Sequence, residues 1–210
     1  MPEALRVFQR RGSIVPLVAY LVAVVVGLAF GAADQQLGTL TAELGPWTST
    51  AAQVSAPWLI LPFLFGTTQQ HARRAAVLGL VVTASALVGY FAMIYSPVEI
   101  HPWSLDRFTS GFVAVTTSGY NPMYILGGLV TGPVFGLLGQ RWRVSRSWVS
   151  AAIVVGALCL EPLARWVSGQ LMAPTVVWTV EVAFGVVVAA LFAYALTRLR
   201  RASAEGRPLP

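Results

Sequence analysis

Along this chain apolar residues gather into long runs separated by short polar or arginine-bearing connections. A run of about 20 residues wound as an α-helix crosses the hydrocarbon core of a bilayer while bonding its own backbone internally. Six stretches qualify: residues 14–33, 47–66, 75–95, 119–138, 148–167 and 175–196. The pattern predicts an all-α polytopic transmembrane bundle of six helices, forming one domain over residues 1–210. The second stretch differs from the others, since it opens with Thr48, Ser49, Thr50 and Gln53 and carries Pro57 and Pro62. A kinked helix lined on one side by protein or water accounts for both features.

Arg6, Arg10 and Arg11 precede the first run, and Gly31, Ala32 and Ala33 close it, as in a secretory signal. Its apolar core is too long for a signal h-region, so the run is read as a retained membrane helix. Arginine placement then orients the bundle. Three arginines lead the first helix, Arg73 and Arg74 follow the second, Arg141, Arg143 and Arg146 follow the fourth, and Arg198, Arg200, Arg201 and Arg207 follow the sixth. Twelve of the fourteen arginines thus fall on one side. The opposite connections hold Asp34, Glu43, Glu99 and Asp106 with Arg107 alone. The positive-inside rule places both termini in the cytoplasm. The longest outer connection, residues 96–118, contains Pro97, Pro102, Trp103 and a moderately apolar piece after Ser104, a residue suited to cap a short helix. Residues 202–210 read as a disordered cytoplasmic tail.

Composition agrees with lipid rather than water. Hydrophobic residues make up 56% of the chain and charged residues 10%, with a mean hydropathy of +0.70, whereas a soluble domain carries about 25% charge. Every basic residue is Arg, so chemistry requiring a lysine Schiff base is excluded. A net charge of +6 would suit nucleic acid, but the arginines sit in inter-helix connections and at the ends, where they orient helices; no nucleic-acid partner is expected. Cys159 stands alone in an apolar run and forms no intrachain disulfide.

Small residues recur every four positions as Ala19, Ala23, Gly27 and Gly31 on the first helix, and as Gly128, Gly132 and Gly136 on the fourth. Such stripes let helices approach closely in lipid. They serve either packing within the bundle or docking of a partner membrane subunit or a second copy. Glu161, Arg165 and Glu181 are the ionisable residues inside predicted spans, where charge is costly and faces a bundle interior or a wet cavity. Glu161 and Arg165 share a helix face, and the short link between the last two helices makes these antiparallel neighbours. Both glutamates then lie about 9 Å below the same surface. One Arg neutralises one Glu, so the second carboxylate needs a proton, a donor such as Trp178 or Tyr90, or a cationic ligand. The set is either a satisfied network that fixes packing or a ligand site bordered by Trp58, Tyr90 and Trp178. His71 and His101 lack metal-spaced neighbours, and no nucleotide-binding or catalytic motif is present; no metal, cofactor or catalytic residue is assigned.

The chain resembles a family of small polytopic bacterial membrane proteins to which no function is assigned. The resemblance rests on Ser55-Ala56-Pro57-Trp58 and the apolar run to Gly66, on Ala86-Leu87-Val88-Gly89-Tyr90, on Gly132 and Pro133, on the stretch from Gly156 to Glu161, and on Val180-Glu181-Val182-Ala183. It implies fold and membrane location. A weaker similarity, carried by Ala19 and Ala23, is to the substrate-binding subunits of energy-coupling-factor transporters, which implies an outward-facing pocket and a docking stripe. The residues point first to a transport-related protein that binds a small solute or ion in an outward-facing polar pocket. The alternative is a structural or accessory subunit that packs against a partner through its small-residue faces.

Overall fold

Backbone inside lipid has no water to bond, and this chain meets that constraint with helices. A computed structural model describes residues 3–95 and 104–204, with side chains described for residues 17–95 and 104–198. Among the described residues there are nine helices: α1 (Glu3–Thr39), α2 (Thr41–Leu44), α3 (Trp47–Ala51), α4 (Ala56–Thr67), α5 (Ala72–Ile94), α6 (Leu105–Thr117), α7 (Asn121–Ser145), α8 (Trp148–Val167) and α9 (Val176–Ala204). Five apolar stretches are long enough to cross a membrane: Leu17–Thr39 within α1, α5, α7, α8 and Val176–Arg198 within α9.

The expected second span, residues 47–66, is not one helix. It divides into α3 and α4 around a non-helical turn at residues 52–55. Pro57 sits in the first turn of α4, where its missing N–H costs nothing and its fixed φ favours a helix start. Upstream, the Thr48 and Ser49 hydroxyls donate to the carbonyls of Gly45 and Pro46, tying α3 into a local turn, while the Thr50 hydroxyl donates to the Ala173 carbonyl at 2.7 Å. With 12 residues, α4 is about 18 Å long, well short of the roughly 30 Å hydrocarbon core. Among the described residues, five helices are therefore of spanning length and the apolar α4 reaches little more than half of it.

Other boundaries differ from expectation at their ends. Asp34, expected in an outer connection, lies inside α1. Arg141 and Arg143 lie on the last turns of α7, which continues to Ser145, rather than in the loop that follows. Residues 202–204, expected in the tail, belong to α9; residues 205–210 lie outside the described residues, as do 96–103 of the long connection. Ser104 does cap α6, its hydroxyl accepting from the Arg107 N–H at 3.2 Å.

Glycine decides how the helices cross. On α1, Ala23 is fully buried, and a Cβ on Gly27 or Gly31 would run into the α5 backbone at Val82 or Ala86. Gly89 of α5 answers by lying against the Leu28 backbone. On α7, Gly132 and Gly136 meet Gly79 and Ala75 of α5, Gly128 meets Thr83 and Leu87, and Gly139 meets Phe63 and Thr67 of α4. Gly66 of α4 completes the crossing against Gly136. Both stripes read from the sequence thus face neighbouring helices of the same chain, where close backbone approach supplies dispersion contacts that lipid cannot outcompete. The α8–α9 hairpin joins this block through an aromatic and aliphatic cluster that includes Phe63, Phe135, Trp142, Leu158 and Trp178, with Phe192 packed against it.

Candidate functional site

The turn at residues 52–55 leaves the N-terminus of α4 without a preceding helical turn, so its first backbone N–H groups need acceptors from elsewhere. Glu161 supplies one, at Ser55. The Ser55 N–H donates to both of its oxygens, at 3.0 Å to Oε1 and 2.9 Å to Oε2, and the Ser55 hydroxyl donates to Oε1 at 2.9 Å. From one turn further along α8, Arg165 Nε donates to Oε1 at 2.8 Å, closing an ion pair whose partners are 10% and 21% exposed for Glu161 and Arg165. Arg165 also donates through Nη2 to the Gln53 carbonyl. Its guanidinium lies 5.1 Å over the Trp178 ring, within the range of a cation–π contact. One ion pair and one helix terminus are thereby joined.

The inward face of α9 reads Trp178, Glu181, Gly185 and Val188, spacings that place all four on one stripe. Glu181 is 5% exposed, and neither of its oxygens has a hydrogen-bond partner among the described residues. Its charged neighbours are Glu161 and Arg165. Glu181 thus neighbours a carboxylate already paired with Arg165, and among the described residues no donor bonds it. Trp178, expected as a donor to a carboxylate, is 3% exposed and gives its N–H to the Met172 carbonyl at 2.8 Å. An apolar groove beside Trp178, lined by Pro162, Leu171, Thr175, Thr179 and Val182, includes neither carboxylate in its lining. The charged side chains form a packed group rather than an open polar pocket.

Trp58 and Tyr90 belong to a different place. The Trp58 N–H donates to Asp34 Oδ2 at 3.2 Å, and its ring meets Phe30 and Tyr90 edge-on, with centroids 5.2 Å and 6.0 Å away. This second polar group lies among α1, α4 and α5. The sequence reading missed Asp34 because the residue falls at the end of an apolar run and looks like loop. It also missed Ser55 and Gln53, although Ser followed by Ala-Pro-Trp carries a helix-start signature.

At the arginine-rich end, Arg143 Nη1 donates to the carbonyls of Thr67 and Thr68 at 3.0 Å and 2.7 Å, and Gln140 Nε2 to that of Gln70 at 2.9 Å. The C-terminus of α4 is thus bonded by a cation from α7, as its N-terminus is bonded by an anion from α8. No cluster of His, Cys, Asp and Glu able to hold a metal occurs among the described residues.

Five apolar helices of spanning length, with buried charge confined to the seams between helices, define a multi-pass α-helical membrane protein. Residues 11–206 match a family of unknown function, DUF6518, and the chain belongs to that family. No curated protein and no solved structure matches it, so the similarity to energy-coupling-factor subunits gains no support.

Proposed function

We propose that this protein is an ion-binding, transport-related membrane protein whose site is the group formed by Glu161, Arg165 and Glu181. The observation that carries the reading is Glu181: a carboxyl group at 5% exposure with no hydrogen-bond partner among the described residues, beside a second carboxylate whose charge Arg165 already balances. An unpaired carboxylate in a lipid-embedded interior is expensive, so the position calls for an exchangeable cationic occupant. Tight packing around the carboxyls favours an ion over a larger solute. The arginine bias orients the turn at residues 52–55 toward the exterior of a bacterial plasma membrane, with both termini cytoplasmic. The site then lies about 7–9 Å below the external ends of α8 and α9. An accessory subunit docking through small-residue faces is less favoured, because those faces are filled by helices of the same chain.

The test is thermal unfolding of the purified protein in lipid nanodiscs across sodium, potassium, lithium, ammonium and small organic cations, and across pH, beside Glu181→Gln. A ligand present at a hundred times its Kd stabilises by about 2.7 kcal/mol. The wild type should respond to at least one cation or to pH, and the variant should not. Equal behaviour of the two under every condition would remove the reading.

A further inference from the structure

The two carboxyl groups are not equivalent in what they have left to accept. Glu161 Oε1 takes three donors, from Ser55 N–H, the Ser55 hydroxyl and Arg165 Nε. Oε2 takes one, from Ser55 N–H. A carboxylate oxygen accommodates about two hydrogen bonds in its lone-pair directions, so Oε1 is filled and Oε2 has room. Facing this group is Glu181, with neither oxygen bonded and no donor to satisfy it.

The groups that surround Glu181 limit what can fill the gap. From α8 come Glu161, Arg165 and, one turn away, Cys159, which packs against Gly185. Neither α3 nor α4 carries a titratable side chain, and the turn between them offers the Ser55 hydroxyl, already committed to Oε1. α7 meets α9 at Trp142 and Phe192, a position eleven residues on from Glu181 and so about 16 Å away along the helix. Arg165 is committed to Glu161 and to the Gln53 carbonyl. A metal cation would need several more oxygen ligands than two carboxyls and one hydroxyl supply. One proton needs a single acceptor.

We propose that the ion held here is a proton, carried by Glu181 and donated to Oε2 of Glu161, and that its presence keeps the N-terminus of α4 pinned to α8. The inference rests on the ion-binding reading above and names its ion. With the proton in place the group is neutral: one carboxylate, one guanidinium and one carboxylic acid. When the O–H bond of Glu181 breaks, the electron pair stays on the carboxylate oxygen and the proton passes to water, leaving a net charge of −1. Two carboxylates then compete for Arg165, and the bonds from Glu161 to Ser55 weaken. Because α4 is held at this end by those bonds, proton release loosens the seam between α4 and the α8–α9 hairpin. That couples occupancy of the site to movement of the half-length helix.

The test is infrared spectroscopy of the full-length protein in nanodiscs at neutral pH, reading the carbonyl stretch of a protonated carboxyl group, together with the unfolding midpoint against pH. A protonated-carboxyl band is expected in the wild type and in Asp34→Asn, and it should be lost in Glu181→Gln. Glu181→Gln keeps the shape of the side chain and a donor toward Oε2, so it should fold. A proton held in the native state and absent from the unfolded one makes stability fall as pH rises. The wild-type midpoint should therefore drop with increasing pH while that of Glu181→Gln stays level. Stabilisation by an alkali cation lost in Glu181→Gln, with no protonated-carboxyl band, would overturn the proton and leave the ion-binding reading standing. A band that survives in Glu181→Gln but vanishes in Asp34→Asn would place the proton at the other polar group and overturn this inference. Absence of both band and cation effect would end both.

Discussion

Glu161→Ala removes the acceptor that holds the start of α4, and its cost can be built from the bonds described. Stripping one partner from a buried ion pair costs about 3–5 kcal/mol when the remaining charge is fully enclosed. Arg165 keeps 21% of its side-chain surface exposed, so water takes up part of that charge and the lower end, roughly 3 kcal/mol, applies. The Ser55 N–H and hydroxyl lose their acceptor as well, a loss comparable to a missing helix cap at about 1 kcal/mol. Glu181, however, stands ready as a substitute carboxylate for Arg165. The single variant should therefore lose about 2 kcal/mol, and Glu161→Ala combined with Glu181→Gln about 4 kcal/mol, more than the two single losses added together, since coupled sites depart from additivity by 0.5–3 kcal/mol. Reversible unfolding in mixed micelles, followed by tryptophan fluorescence, reads these differences. Losses that add within about 0.3 kcal/mol, or a Glu161→Ala loss below the cost of a cap, would show that the charged group does not hold the helix.

Gly31→Ala should destabilise by about 1–3 kcal/mol, because its Cβ overlaps the Ala86 carbonyl and two backbones must separate. Gly127→Ala, with nothing near its Cβ, should be neutral or stabilising by up to about 1 kcal/mol through helix propensity; opposite signs in the same unfolding assay are the expected result. Arg143→Met should cost about 0.3–1 kcal/mol by freeing the carbonyls at the end of α4. Since those bonds are exposed, the difference from wild type should shrink at high salt, and a salt-independent loss would refer it to packing instead.

Much of the architecture was legible because lipid imposes one rule on every span. The 148–167 stretch coincides with α8, the 14–33 run lies within α1, and the runs 75–95, 119–138 and 175–196 overlie α5, α7 and α9 with one or two residues left outside at one end. The second stretch misled because mean apolar character says nothing about continuity: its polar opening and two prolines suggested a kink, whereas residues 52–55 leave the helix altogether. Of the site, the convergence of Glu161, Arg165 and Glu181 followed from helix periodicity and a short connection. Their partners did not. Ser55 lies 106 positions from Glu161 and Gln53 lies 112 from Arg165, separations that no local pattern encodes. Tyr90, one of the donors considered for the second carboxylate, and Trp58, expected in the pocket border, lie instead beside Asp34, since aromatic identity does not reveal which side of α4 a ring occupies.

The half-length helix explains why charged side chains gather at its two ends. A helix leaves partial positive charge on free N–H groups at one end and partial negative charge on free carbonyls at the other, each equivalent to about half an elementary charge. α4 meets the first with Glu161 and the second with Arg143, each from a neighbouring helix. Glu161 answers the N-terminus, and Arg165 pairs with Glu161. By this count every buried charge in the group answers a structural need except one. Glu181 bonds to no terminus and balances no cation, and it stands on a stripe whose other members, Trp178, Gly185 and Val188, are apolar or small. A leucine there would continue the stripe without the desolvation cost, and replacing buried charge by packed apolar groups is often neutral or stabilising. A bare carboxylate at this position would cost the fold stability, and the proton proposed for Glu181 removes that cost by turning the group into a neutral donor toward Glu161.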